Sequence, residues 1–502
     1  MGVHYHHWVW YASLPRVRSD LDRVLSESER HQFAVIAVTG MRSFVNSNSH
    51  ATAGAMSGSG RLRSLRAAAM GNMLEWFDWT LYGIMSPYLA ATFFSQENPQ
   101  SALLATFAVF AGGFVARPVG GYLFGRFGDR VGRRITLLVT MLTLSFSTLA
   151  MALVPGYDRI GVWASLLLLT LRIVQGLAHG GEAGISYTYV AEIAPREHRG
   201  FWTSAVYVSV MIGVMGATAT AAVLTNLLGS DAMGDWGWRL GFGLGAVLAV
   251  YVLILRRFAQ ESEVFEEQRS VSGSEPDAAK AIDRMALVRA AIAMFLLSAA
   301  TNVVYYTWVT FAPVNAINIQ GMSPGGAYVA SLLAQFLALF AIVAFGRLSD
   351  RVGRRPMLIG FGLSVILLVV PIEQMLTDQP WTLFVAQSLG LTAWAMVVGL
   401  YPALMAELAP TVARARTVGL MSSAAAAIFG GTAPYLYTWL ADTGRSWVFI
   451  AYIMVLALVT IVVTLFIKET KGMDLNEGLR TDEQPSTTPA RSRDASSHSG
   501  TS

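Results

Sequence analysis

Apolar runs of about twenty residues recur along the chain, separated by short polar turns; Ile135 to Val154 and Trp447 to Ile467 are two of them. A helix needs about that length to cross the hydrocarbon core of a bilayer. The pattern predicts helices near 69–93, 102–124, 135–154, 161–190, 201–228, 238–256, 287–316, 325–345, 357–376, 381–405, 417–440 and 446–467. The longest internal polar stretch, 257–286, divides six helices from six and contains Glu261, Glu263, Glu266, Glu267, Asp277 and Lys280.

Both ends depart from this pattern. Residues 1–65 hold His4, His6 and His7, several Arg and Ser, and then a Ser/Gly-rich stretch with no persistent amphipathic period. Those histidines could ligate a metal. A disordered extension, or a start site further along at Met41, Met56 or Met70, is the plainer reading. Residues 471–502 are polar and Ser/Thr-rich, the composition of a disordered tail. The expected organisation is therefore an N-terminal extension (1–65), a six-helix half (66–256), a central loop (257–286), a second half (287–470) and a tail (471–502).

The Arg residues alternate from one connection to the next. One set carries Arg126, Arg130, Arg133 and Arg134; Arg196 and Arg199; Arg256, Arg257 and Arg269; Arg347, Arg351, Arg354 and Arg355; Arg414 and Arg416. The other set is nearly bare, with Arg159, Arg239 and Arg445. Positive residues stay on the cytoplasmic side. The expectation is a multi-pass protein of the cell (inner) membrane with both tails and the central loop in the cytoplasm. An even number of helices demands the same.

The halves repeat. Gly125-Arg-Phe-Gly-Asp-Arg-Val-Gly-Arg-Arg134 differs from Gly346-Arg-Leu-Ser-Asp-Arg-Val-Gly-Arg-Arg355 at two positions, and each follows the second helix of its half. Ala191-Glu-Ile-Ala-Pro195 is echoed by Ala406-Glu-Leu-Ala-Pro410 after the fourth helix. Parallel six-helix repeats around a site halfway across the membrane are a transporter architecture.

Composition narrows the chemistry. The 502 residues are 54% hydrophobic and 14% charged, with a mean hydropathy of +0.48; soluble domains carry about 25% charged residues. With no cysteine, the chain can form no disulfide or thiolate metal site. No phosphate-binding G-x-x-x-x-G-K-[ST] occurs, no catalytic constellation stands outside the membrane, and no basic–aromatic patch suggests nucleic acid. An ion gradient is left as the energy source, with no cofactor and no metal.

Charge at membrane depth costs about 2.5–3.5 kcal/mol per residue on insertion scales, so such residues should face a cavity. Helical spacing puts Glu75, Asp78, Tyr82 and Ser86 on one face of the first helix. It puts Arg172, Gln175, His179 and Glu182 on one face of the fourth, beside a small-residue stripe of Gly176, Gly180 and Gly184 that admits another helix. Asn302, Tyr305, Tyr306 and Pro313 align on the seventh helix, and Gln387, Trp394 and Tyr401 on the tenth. Each has a plainer alternative. Arg172 and Glu182 could simply pair and hold their half together, His179 could be a satisfied packing residue, and Trp76 and Trp79 read as packing. Arg117 reads as structural, near the cytoplasmic end of the second helix.

The doubled G-R-x-x-D-R-x-G-R-R loop resembles the signature of the major facilitator superfamily. Gly71-Asn-Met-Leu-Glu-Trp-Phe-Asp78 and Gln175-Gly-Leu-Ala-His-Gly-Gly-Glu182 resemble its metabolite:proton symporter branch. Ala300-Thr-Asn-Val-Val-Tyr-Tyr306 looks most like the proline/betaine transporters, in a branch that also takes citrate, 2-oxoglutarate and shikimate. The likeness spans about residues 66–470. It implies an all-α integral membrane protein, twelve transmembrane helices in two six-helix repeats, with helices one, four, seven and ten lining a central cavity. It implies a conformational latch in the Arg-rich loops, carried by Gly125, Asp129, Arg133, Arg134, Gly346, Asp350 and Arg354 together with Glu192 and Glu407. Two features depart from the branch: His179 stands where a small or apolar residue is usual, and the tail lacks the coiled coil of osmosensing members.

The function expected is proton-coupled uptake of a small organic solute by alternating access. Its partners are the solute, protons and the lipid bilayer, with no nucleic acid, and the expected state is a monomer. Glu75, Asp78, Glu182 and His179 are the candidates for carrying the proton. Tyr82, Arg172, Gln175, Asn302, Tyr305, Tyr306, Gln387, Trp394 and Tyr401 are the candidates for lining the solute cavity. One cationic fork and several aromatic faces favour a proline- or betaine-like zwitterion over an organic acid such as 2-oxoglutarate, citrate or shikimate. A proton-coupled efflux antiporter is the first rival, and a non-transporting membrane sensor a rival of another class. The chain is not expected to be an enzyme.

Overall fold

In the computed structural model, the described residues are 58–131, 133–180, 182–257, 284–409 and 414–475. All regular structure among them is helical. In a bilayer core a helix satisfies its own backbone hydrogen bonds, so helices are the spanning elements open to such apolar runs. Of one compact unit, Met1–Ser64, only residues 58–64 are described; the other unit is Leu65–Ser502. The segment with His4, His6 and His7, the central loop at 258–283 and the tail from 476 lie outside the described residues.

Among the described residues, twelve rods account for the long helices. The first is Gly58–Ile84 with Ser86–Phe93, the second Pro99–Val131, the third Arg133–Leu153, and the fourth Val162–His179 with Glu182–Ile193. Arg199–Ala232 and Trp238–Arg257 complete the first half. The seventh is Arg284–Tyr305 with Ala312–Gln320, followed by Pro324–Val352, Arg354–Met375, and Pro380–Val398 with Tyr401–Leu408. Arg414–Ala425 with Ala433–Asp442, then Ser446–Phe466, are the last two. Eight helical stretches among the described residues are long and apolar enough to cross a membrane, and one of these, Arg196–Tyr251, contains two rods. The first and eleventh rods fall outside that set, and so does the third, whose apolar part Val139–Leu153 is short.

The rods match the predicted spans, except that the second and eighth run on as helix through the Arg-rich repeat to Val131 and Val352, and two further differences stand out. The first begins at Gly58, ahead of the apolar run, because the Leu-, Arg- and Ala-rich residues there are good helix formers whatever their polarity. Several rods are also broken near mid-length. The first breaks at Met85, the seventh at a wide turn over Tyr306–Thr310, the tenth at Gly399–Leu400 and the eleventh over Ala426–Gly430. Each break is followed by a proline in the next helix start: Pro87, Pro313, Pro402 and Pro434. Proline has no N–H to give to the preceding turn but fits the first turn of a new helix.

Packing repeats between halves. The second rod packs on the fourth as the eighth does on the tenth, and the third on the sixth as the ninth does on the twelfth. The halves meet where the fifth rod lies along the eighth and the second against the eleventh. Glycine sets the closest approach. A Cβ on Gly176 would overlap the carbonyl oxygen of Gly113, and one on Gly180 that of Arg117. The stripe on the fourth rod thus seats the backbone of the second.

Candidate functional site

Two polar clusters stand out, one halfway along the rods and one at the Arg-rich end. The first is built on the middle turns of rods one and four, with Thr148 of the third. Asp78 accepts a hydrogen bond from the Thr148 hydroxyl at 2.7 Å and lies 3.6 Å from Nη1 of Arg172. Arg172 donates to Oε1 of Gln175 at 2.6 Å, and Gln175 donates to Thr148 at 2.9 Å, which closes a ring of four side chains. Arg172 and Gln175 are wholly inaccessible to solvent. Glu75 lies 3.3 Å from Nδ1 of His179, both buried. The Glu182 side chain lies outside the described residues.

Trp79 organises the cations. The guanidinium carbons of Arg117 and Arg172 each lie 4.1 Å from its ring centroid, so they are at most twice that distance apart. Tyr82 stacks on Arg172 at 4.0 Å and Phe114 on Arg117 at 4.2 Å. The Tyr82 hydroxyl donates to the Thr106 carbonyl at 3.1 Å. Such contacts are worth about 2 kcal/mol or more when desolvated. Yet Nε and Nη2 of both arginines have no hydrogen-bond partner among the described residues. The structure therefore gives Arg117 a central position that the sequence reading did not, and gives Trp79 more than packing.

The second half answers with neutral groups. Tyr305 packs edge-on against Trp76 of the first half (5.1 Å) and lies 5.3 Å from Trp394; Tyr306 meets Phe110 and Phe114. Tyr401 lies beside Tyr187 and Tyr207, and its hydroxyl shares a 2.5 Å hydrogen bond with Ser298. Asn302 donates to the Ser298 carbonyl at 2.8 Å. Gln387 stands apart from this cluster: it donates to the Trp308 carbonyl at 2.8 Å, satisfying an acceptor at the break in the seventh rod. Gln335, which the sequence reading passed over, donates to the neighbouring Val309 carbonyl at 3.4 Å.

At the Arg-rich end the repeat becomes an exchange. Arg199, which opens the fifth rod, donates to Glu407 of the second half at 3.0 Å; Arg414, which opens the eleventh, donates to Glu192 of the first half at 3.0 Å. Each arginine also holds the carbonyl eight residues before it, Ala191 or Ala406. Arg354 adds bonds to Glu407 and to Asp350. Asp350 accepts the backbone N–H groups of Gly200 and Phe201, both at 2.8 Å, and so caps the fifth rod from across the interface. Gly346 sits at that crossing, where an added Cβ would press on Ser204 and the carbonyls of Gly399 and Gly200. Gly125, Asp129, Arg133 and Arg134 belong to a segment whose side chains lie outside the described residues.

The segment 468–475 straddles the expected start of the tail and lies across this end. Glu469 accepts the N–H groups of Arg354 and Arg355, Thr470 donates to Glu407, and the Met473 and Leu475 carbonyls accept from Arg199 and Arg414. Arg196 pairs with Asp474. Nothing in the tail's composition marks these residues; the positions of their partners do.

Residues 68–434 match the family model for the Major Facilitator Superfamily. The chain is 36% identical over 418 residues to the alpha-ketoglutarate permease of Escherichia coli, covering 83% of this chain and 96% of that protein. It is 34% identical over 389 residues to the citrate-proton symporter of Salmonella typhi (76% and 88%) and 32% identical over 388 residues to a Staphylococcus aureus protein described as a proline/betaine transporter (75% and 82%). A crystal structure of a D-xylose-proton symporter superposes with a TM-score of 0.63 at 19% identity, covering 81% of this chain and 98% of that one.

Proposed function

The chain belongs to the major facilitator superfamily, and from that premise we propose that it is a proton-driven symporter that takes up a small organic acid, gripping it by its carboxylates. The observation that carries this reading is the pair of buried arginines on Trp79, with four N–H-bearing nitrogens that have no partner among the described residues. A buried donor left unsatisfied costs about 1–3 kcal/mol, more when charged. A carboxylate matches a guanidinium fork in bidentate fashion and would satisfy two such donors at once. Two forks suit a dicarboxylate.

The named solutes of the relatives fit this chemistry, because 2-oxoglutarate, citrate, proline and betaine all carry a carboxylate. The sequence alone ranked a zwitterion first, on one visible fork. Arg117 beside Arg172 moves an organic acid ahead. The Trp76–Tyr305–Trp394 cluster keeps the zwitterion as a second reading, since its ring faces could receive a cation.

Proton coupling belongs to a carboxyl group of the first helix. Glu75 and Asp78 are both buried beside a basic partner, so adding or removing a proton at one of them changes the charge balance where the solute's negative charge would sit. The ion-paired cluster at the Arg-rich, cytoplasmic end then serves as the latch: it must separate for that end to open, and rocking of the halves delivers solute and proton inward. The test is uptake of labelled 2-oxoglutarate, citrate, shikimate, proline and glycine betaine by proteoliposomes under an inward proton gradient. An organic acid should accumulate, and a protonophore should abolish accumulation. Accumulation of proline or betaine alone would contradict the reading, and loss of preloaded label on imposing the gradient would favour efflux.

A further inference from the structure

A second ionisable pair lies beside the Asp78–Arg172 ring. Glu75 and His179 are 4% and 5% exposed, lie 3.3 Å apart, and join the first rod to the fourth. Nε2 of His179 is buried with no hydrogen-bond partner among the described residues. A cavity of about 10 Å³ touches both side chains and is otherwise walled by Thr140, Met141, Leu144 and Ala178. That is room for about one water. The third rod thus presents one hydroxyl and two apolar side chains to the cavity, and no ionisable group.

The two pairs differ in what they can do with a proton. Asp78 accepts the Thr148 hydroxyl and lies against the Arg172 guanidinium, a group of donors with no acceptor atom. An imidazole, by contrast, can carry a proton on either ring nitrogen and can accept a second. Among the described residues, the other ionisable groups of this region include Asp78 on the same helix, Arg117 on the second rod, Arg172 and Tyr187 on the fourth and Tyr306 on the seventh. Arg117 and Glu75 both act electrostatically on Tyr187 and Tyr306.

We infer that Glu75 and His179 form a dedicated proton-binding site, served by the cavity beside them, while Asp78 remains the fixed counter-ion of Arg172. One proton passes from a hydronium in the cavity to the pair, where it bonds to a Glu75 carboxylate oxygen or to Nε2 of His179, and it leaves by the reverse step. That this proton drives uptake rests on the symporter reading above; that the pair titrates does not.

The test is an infrared pH-difference titration of the full chain in lipid nanodiscs, reading the protonated-carboxyl and imidazole bands with protons and buffer as the only ligands. Glu75→Gln should remove a carboxyl band that Asp78→Asn keeps. His179→Gln should remove an imidazole signal and move the Glu75 carboxyl midpoint upward by about one pH unit or more, because an adjacent positive charge is lost. A carboxyl band that survives Glu75→Gln and disappears in Asp78→Asn would overturn the assignment, as would a midpoint unmoved by His179→Gln. Glu75→Asp, with the acid kept, separates loss of titration from loss of fold: it should retain a carboxyl band. A wild type that shows these bands yet transports no organic acid would overturn the transport reading alone.

Discussion

The two halves share one fold but divide the chemistry differently at two levels. Halfway along the rods, the first half holds Glu75, Asp78, Arg117, Arg172 and His179, while the second half brings Asn302, Tyr305, Tyr306, Trp394 and Tyr401. At the Arg-rich end the division is even: each half gives a glutamate to the other's arginine. The repeat therefore keeps its symmetry at the Arg-rich end and loses it halfway along the rods, where the buried charges belong to one half and neutral polar and aromatic groups to the other.

Breaking the charged side should have the largest effect. Arg172→Lys keeps the charge but loses the fork and the stacking on Trp79 and Tyr82, leaving Asp78 poorly paired. Breaking a buried pair costs about 3–5 kcal/mol. Uptake of an organic acid should fall ~100-fold or more, measured against protein recovered from the membrane; uptake within a fewfold of wild type would remove Arg172 from the site. Arg117→Gln comes next. It should weaken a dicarboxylate by about 10- to 100-fold, the worth of one or two charge-assisted hydrogen bonds, and a monocarboxylate much less. Equal weakening of both in competition assays would return Arg117 to a structural role.

The even side should respond more mildly. Asp350→Asn weakens the cap on the fifth rod and the bond to Arg354, at a cost of about 1 kcal/mol. Transport rate should shift several-fold with the competition profile unchanged, whereas an altered profile would contradict the latch. Smallest is the effect of acid on segment 468–475. Burial opposes the charge on Glu469, but N–H groups of Arg354, Arg355 and Lys471 outweigh it and hold the carboxyl below its usual range. Its contribution is present above the unfolded carboxyl value, about 4.3, and is lost as pH falls through the lower folded value. Amide hydrogen exchange at Arg354 and Arg355 should stay slow at neutral pH and quicken only in strong acid; quickening already near pH 6 would count against the cap.

Much of this comparison was legible in the sequence. Periodicity located twelve rods, the doubled loops exposed the repeat, and three- and four-residue steps put Asp78, Tyr82, Arg172 and Gln175 on the right faces. Periodicity describes one helix at a time, and what was missed lies between helices. Thr148 closes the central ring from the third rod, where it is one hydroxyl among several (Thr140, Thr143, Ser145 and Ser147) and nothing in the sequence singles it out. Arg117 was read from its distance to the Arg-rich loop, but its direction is set by where Trp79 of another rod stands. The exchange of Glu192 and Glu407 with Arg414 and Arg199 had a trace: both arginines fall eight residues after the alanine of their motif. The trace shows that the positions are equivalent, but only the packed halves show that partners are swapped. Gln387 shares a helical face with Trp394 and was grouped with it, whereas the break in the seventh rod draws it away.

The most direct test of the division is proton entry and solute entry measured together in one proteoliposome preparation, with labelled 2-oxoglutarate as probe and an internal pH dye. Variants of the neutral half, Trp394→Leu and Asn302→Ala, should slow both fluxes in parallel and leave the ratio of protons to solute unchanged, while Glu75→Gln in the charged half should lower it. A ratio altered by Trp394→Leu or Asn302→Ala, or left intact by Glu75→Gln, would contradict the account.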